Sequence, residues 1–418
     1  MRSPSCVHKV IATPRSEHST SKAGTATGAG AGLRKTTTSI ALLAGMLMAA
    51  PLGARSAPEI AVPSVEDAPI AYLIDARSRQ VLFSREADRR FMPASITKVM
   101  TTFLAFEWME EGRLFPQQVY SVRPETFRAW NRVGSTMFLP ADARVTVDDL
   151  IHGVTTVSAN DGAVVLAEGA AGSVTDWVAA MNAKAFEIGM HDSHFGTPNG
   201  WMDEGATWTT AHNLTLLGEA MIRRHPTKYR HFVGATVFKY NGIEQRNHDP
   251  ISGVVAGADG IKTGFTNQAG YGFLGSAERN GQRLIMVVAG SPTGRARNRA
   301  ARQFIEWGFE AFEPRRVFAP DQTIASARVQ GGGAPLVNLV VDGPLYVDVL
   351  KGSNPKISFN LRYEGPLQAP VAKGEEVAEL EVSIEGQPTY RVPLKARETV
   401  LEANFVQRVF NGIKGWIT

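Results

Sequence analysis

Three short stretches constrain this 418-residue chain more than anything else in it: Ser95-Ile96-Thr97-Lys98, Ser158-Ala159-Asn160 and Lys262-Thr263-Gly264. They lie far apart, so a fold that uses them together must bring a helix start, a loop and a strand to one cleft. A serine and a lysine three positions apart share a helical face, which lets Lys98 reach back to the Ser95 hydroxyl. Free serine is a poor nucleophile and needs such a base. A helix N-terminus at Ser95 adds a field that favours developing negative charge. Burial and a second cation would leave Lys98 partly neutral, able to take the serine proton. Each stretch alone is common in unrelated proteins. Their joint occurrence, in order and in fitting local contexts, is specific.

The other two stretches supply the remaining parts. Ser158 is a second hydroxyl, placed to relay a proton to a leaving amine. Asn160 would offer its carbonyl to a substrate amide and its amide to Lys98. Lys262 would hold positive charge, and Thr263 would donate to a substrate carboxylate. Gly264 would let a substrate backbone approach the strand edge.

The basic balance does not indicate a nucleic-acid partner. Residues 1–56 hold seven of the 44 Lys/Arg and one of the 40 acids, leaving 37 basic against 39 acidic residues. The excess therefore belongs to the leader, and bulk charge elsewhere is slightly negative. That leader has the order of an export signal: Arg34-Lys35, the apolar run Ile40–Ala50, then small residues up to Ser56. The run is too short to span a bilayer. The sole cysteine, Cys6, lies within the leader, so residues 57–418 can hold no disulfide, thiol nucleophile or cysteine–zinc site. No HExxH zinc motif, phosphate loop or dinucleotide fingerprint occurs. Neither a metal nor a cofactor is expected.

Alternation at Ile70, Tyr72 and Ile74 predicts a strand, with Gln80–Phe83 returning beside it. Val99, Met100, Phe103, Leu104 and Trp108 recur at helical spacing, predicting a helix over about 95–111. Thr146-Val147-Asp148-Asp149 and Ser173-Val174-Thr175-Asp176 read as N-terminal capping boxes. Asp161–Ala171 reads as a buried helix, so 115–225 is mostly helical. Asn280-Gly281 between Tyr271–Arg279 and Gln282–Gly290 is a hairpin signal, and a helix over about 297–312 follows. Strands on both sides of a helical block predict a mixed α/β domain with a helical insertion. Beyond Pro314, alternating runs at Leu345–Val349, Ile357–Tyr363 and Ala378–Ile384 predict a small antiparallel β domain. In the tail, Phe405, Val406, Val409, Phe410, Ile413, Trp416 and Ile417 share a helical face, as a peripheral membrane contact or a packed helix would require.

At the three stretches the chain resembles the low-molecular-mass penicillin-binding proteins, the serine-type D-alanyl-D-alanine carboxypeptidases. The likeness extends through Pro93–Thr101, Gly134–Leu139, Ser158–Ala163, Asp259–Gly264, Ala269-Gly270-Tyr271 and Trp307-Gly308-Phe309. It implies an α/β catalytic domain of the penicillin-binding/beta-lactamase type, with an antiparallel sheet, flanking helices and a helical subdomain. A small all-β domain would follow. The expected divisions are a leader over 1–56, a catalytic domain over 57–315, a β-sandwich over 316–400 and an amphipathic tail over 401–418.

The resemblance also implies roles. Ser95 would attack the penultimate D-alanine carbonyl of a peptidoglycan pentapeptide, with Lys98 as base and Ser158 protonating the leaving amine. Backbone N–H groups of Ser95 and Phe265 would form the oxyanion hole. Lys262, Thr263 and Arg297, with Arg295 as an alternative, would bind the terminal carboxylate. Asn160 and Gly264 would complete the substrate site. Beta-lactams would acylate Ser95, and the enzyme would work in the periplasm or on the outer face of the cytoplasmic membrane. Phe265 stands where many relatives carry histidine. Competing readings are a DD-endopeptidase, a beta-lactamase using Glu204, a non-catalytic wall-binding scaffold, and a regulated protease.

Overall fold

The computed structural model describes residues 5–10 and 61–404. Five antiparallel strands make the first sheet: β1 (Ile70–Asp75), β2 (Gln80–Arg85), β3 (Ala258–Thr266), β4 (Gly270–Arg279) and β5 (Gln282–Ser291). Their spatial order is β2-β1-β5-β4-β3. The predicted hairpin is present: Arg279 pairs with Gln282, and Asn280 and Gly281 take φ of 50° and 74°. A two-residue type I′ turn needs positive φ at both positions, which asparagine and glycine tolerate.

Side chains alternate across a strand, so this sheet is covered on both faces. Along β5, Ile285 and Val287 enter one core with the helical subdomain. Leu284, Met286 and Val288 enter a second core with Phe304 and Ile305 of the Gly294–Ala311 helix. Phe304 is fully buried, and truncating such a side chain to alanine costs about 3–5 kcal/mol.

The helical block follows the sequence patterning. Thr146 and Ser173 cap their helices, accepting from the backbone N–H of Asp149 and Asp176. The helix Lys98–Glu110 is buried over its whole first half, Lys98 included. Its start differs from expectation: Ala94–Thr97 is a separate 3-10 turn, so Ser95 sits just ahead of the α-helix.

The C-terminal β region has its own core, including Ala327, Val337, Leu339, Val347, Leu380 and Leu394. It docks on the first sheet through buried polar groups. The Gln80 side chain pairs with the Asp348 backbone, donating to its O at 2.7 Å and accepting from its N at 2.8 Å. Ser78 Oγ and Gln282 Nε2 both donate to the Asp348 carboxyl, at 2.6 and 3.1 Å.

Within the expected leader, Ser5–Val10 pairs antiparallel with Ile357–Glu364 as an edge strand, an available place because edge strands leave backbone groups open. The rest of the leader and the amphipathic face over 405–417 lie outside the described residues. No helix among the described residues is long and apolar enough to cross a membrane.

Candidate active site

The 3-10 turn Ala94–Thr97 is pressed against β3, and glycine makes this possible. A Cβ on Gly264 would lie 2.4 Å from Pro93 O and 3.2 Å from Ile96 N. The sequence reading reserved that space for substrate backbone, whereas the nucleophile's own turn occupies it. Gly200 does the same on the other side, where a Cβ would lie 1.9 Å from Ala94 O. Its φ of +67° also suits glycine. Ser95 is thus clamped between two glycine-permitted contacts.

Lys98 is fully buried, and its ammonium nitrogen has three partners. Nζ lies 2.8 Å from Ser95 Oγ, 2.7 Å from Asn160 Oδ1 and 2.6 Å from Asn199 O. The two Asn oxygens can only accept, whereas the serine hydroxyl can donate or accept. An ammonium can donate to all three; a neutral amine would serve the two Asn oxygens with N–H groups and leave its lone pair for the Ser95 proton. Burial above all, then the positive charge of Lys262, lowers the Lys98 pKa well below that of free lysine, against an opposing pull from Asp161.

The Asn160 contacts reverse the expected use of its two ends. Its carbonyl accepts from Lys98, and its amide Nδ2 donates to Val133 O at 3.0 Å. An ammonium or amine N–H needs an acceptor, which fixes that orientation. Asp161 anchors the same region, with its carboxylate accepting from the backbone of Met137, Leu139 and Gly162. Ser158 sits between, buried, at a φ of 62° that aims the loop into the helix Asn160–Ala171.

Ser95, Ser158, Asn160, Thr263, Phe265 and Arg297 all line one cleft of about 460 Å³, as does Gly264. Lys98 and Lys262 meet beneath it, at a void of about 10 Å³, room for about one water. Lys262 Nζ donates to Thr263 O at 3.1 Å. Burial first, then the Arg297 guanidinium, lowers its pKa to about 7. Arg297 is buried and donates to Gly272 O at 3.1 Å, and burial takes its pKa to about 10. Arg295 is exposed and does not line the cleft, whereas Arg297 does. Phe265 is 47% exposed and stacks on Tyr271 at 4.1 Å between ring centroids. Glu204 is exposed and outside the cleft lining, so the deacylating glutamate of a beta-lactamase has no counterpart there.

Asn199, Trp201 and His248 belong to the site without having been foreseen. Asn199 acts through its backbone carbonyl, which any residue type could supply. Trp201 and His248 line the cleft from segments without a motif.

The family model for D-alanyl-D-alanine carboxypeptidases matches residues 57–293. The chain belongs to the D-alanyl-D-alanine carboxypeptidase family. The model for the C-terminal domain of penicillin-binding protein 5 matches residues 312–402 of this carboxypeptidase-family chain. D-alanyl-D-alanine carboxypeptidase DacA of Escherichia coli strain K12 is 32% identical over 359 residues, covering 84% of this chain and 88% of that protein. DacC of the same strain is also 32% identical, over 372 residues, covering 88% of this chain and 92% of that protein. Penicillin-binding protein 5 of Haemophilus influenzae superposes with a TM-score of 0.71 at 29% identity, covering 82% of this chain and all of that one. An ampicillin-bound penicillin-binding protein D2 of Listeria monocytogenes gives 0.53 at 28%, covering 58% and 97%. The chain is therefore a member of a serine carboxypeptidase family with a penicillin-binding fold and a C-terminal all-β domain.

Proposed function

We propose that the protein removes the terminal D-alanine of peptidoglycan stem pentapeptides through an acyl-enzyme on Ser95. The observation that carries this is the 2.8 Å contact between Ser95 Oγ and a buried Lys98 amine whose other partners are acceptors. Ser95 Oγ attacks the penultimate D-alanine carbonyl carbon while its proton passes to Lys98 Nζ. The carbonyl oxygen becomes an oxyanion held by the Ser95 and Phe265 backbone N–H groups. The intermediate collapses with cleavage of the C–N bond, and Ser158 relays a proton to the departing D-alanine amine. Water then hydrolyses the ester and regenerates the serine.

Lys262, Thr263 and Arg297 hold the terminal carboxylate, which makes a C-terminal peptide a better substrate than an internal bond. Asn160 steadies Lys98 and faces the substrate amide. A beta-lactam presents a strained amide and a carboxylate in the same relation, and ampicillin occupies the Listeria relative. The charge–apolar–small order of the leader supports work outside the cytoplasmic membrane, with the C-terminal apolar face as a peripheral contact. Intact-protein mass spectrometry after penicillin exposure is the test. The adduct maps to Ser95 after digestion, and Ser95→Ala stays folded and unlabelled. Labelling that persists elsewhere in Ser95→Ala overturns the assignment.

A further inference from the structure

A second cluster of reactive side chains lies on the two helices that back the cleft. Asp148 and His152 occupy successive turns of the Val147–Thr156 helix, and His231 sits on the Pro226–Phe232 helix. One ligand atom from each lies within 4.8 Å of the other two. We propose that Asp148, His152 and His231 form a site for a divalent transition metal of the zinc class.

The geometry is that of a chelate with a carboxylate at its centre. His231 Nε2 lies 3.2 Å from Asp148 Oδ1, and His152 Nε2 lies 3.8 Å from Asp148 Oδ2. Both histidines thus present the same ring nitrogen to one carboxylate, from two different helices. The i, i+4 spacing puts Asp148 and His152 on one face of their helix. Phe232 packs on both imidazoles, at 4.8 and 4.5 Å between centroids, and holds their planes. Zinc takes His nitrogen and carboxylate oxygen at about 2.0–2.2 Å. The three ligand atoms, already within 4.8 Å of one another, draw closer around an ion to meet that requirement. Two imidazoles with one carboxylate favour zinc, cobalt, nickel or copper over magnesium or calcium, which prefer all-oxygen sites. His231 has 59% of its side chain exposed, so an ion can enter and a water can complete its shell.

The place of the site gives it a consequence. One turn or less from His152, Thr155 Oγ1 already donates to Phe232 O at 2.6 Å, and Thr155 lines the void shared by Lys98 and Lys262. The first helix runs directly into Ser158-Ala159-Asn160. The second presents Val233 against Gly260, two residues before Lys262 on β3. A bound ion therefore cross-links the carrier of the second motif to the backing of the third.

The test uses the untagged full chain, freed of metal with a chelator, titrated with Zn²⁺ calorimetrically and with Co²⁺ by visible absorption. One equivalent of Zn²⁺ binds and raises the unfolding temperature, and Co²⁺ gives the intense ligand-field bands of a four-coordinate centre. Because outer partners of metal ligands alone are worth about 10–100-fold in affinity, His231→Ala weakens binding at least about tenfold. His152→Ala, tested separately, does the same. Absence of stoichiometric binding, or affinity unchanged in both variants, overturns the proposal. These readouts do not involve hydrolysis and stand apart from the assignment of Ser95.

Discussion

Replacing Asp348 by asparagine should raise stability relative to wild type as the solution goes from acid to alkaline. Asp348 is fully buried at the junction of the two regions. Burial first, then the Asp75 carboxylate, raises its pKa to about 7 from an ordinary 3.8. Below the ordinary value the folded and unfolded chains both carry the proton, and the group leaves stability unchanged. Between 3.8 and 7 the unfolded chain ionises while the folded chain stays protonated, so stability falls as pH rises. Above about 7 the loss levels off at roughly 4 kcal/mol, from about 1.4 kcal/mol per tenfold change in proton affinity. Asparagine has a single side-chain oxygen, so it accepts from Ser78 Oγ or from Gln282 Nε2 where the carboxyl serves both, a cost that is independent of pH. Differential scanning calorimetry of both proteins at pH 4.5 and pH 8 measures the effect. The stability of the asparagine variant relative to wild type should be about 3 kcal/mol higher at pH 8 than at pH 4.5. An equal difference at the two pH values refutes the reasoning.

Lys98→Ala should slow penicillin acylation by about 10²–10⁴-fold, the range for loss of a general base; stopped-flow acylation at wild-type rate removes Lys98 from that role. Because Lys262 is charged below about 7 and neutral above, kcat/KM for a C-terminal carboxylate peptide should decline above pH 7. The C-terminally amidated analogue should show no such limb, and an identical limb with both substrates places the titrating group elsewhere. Gly264→Ala pushes a methyl into Pro93 O and should reduce acylation by about 10²-fold through misplacement of Ser95, with little change in far-UV circular dichroism. A variant acylating at full rate shows that the turn can yield.

Much of the site was legible because its chemistry depends on residue type. The Ser95/Lys98 spacing predicts a shared helical face, and the 2.8 Å contact follows from it. Asn280-Gly281 predicts its turn because few residues accept positive φ. What escaped was chemistry carried by backbone or by packing between regions. Asn199 contributes a peptide carbonyl, which has no residue signature. Alternation at Leu345, Val347 and Val349 correctly turns those residues inward. By the same period it turns Asp348 outward, towards what a single-sheet view treats as solvent. There the surface of the first region is waiting, and the carboxyl is buried. Gly264 was read as room for substrate because its close neighbour lies some 170 positions earlier in the chain, at Pro93. Asp148 and His152 show helical spacing, but their partner His231 is joined only by the packing of a second helix.

Lys98 and Lys262 line one small void, which makes them rivals for protons. Each repels charge on the other, so the pair binds its protons as a unit. Loss of the Lys262 proton removes one of the causes that keep Lys98 deprotonated. The lysine proposed to hold the substrate carboxylate thereby also conditions the amine beside Ser95.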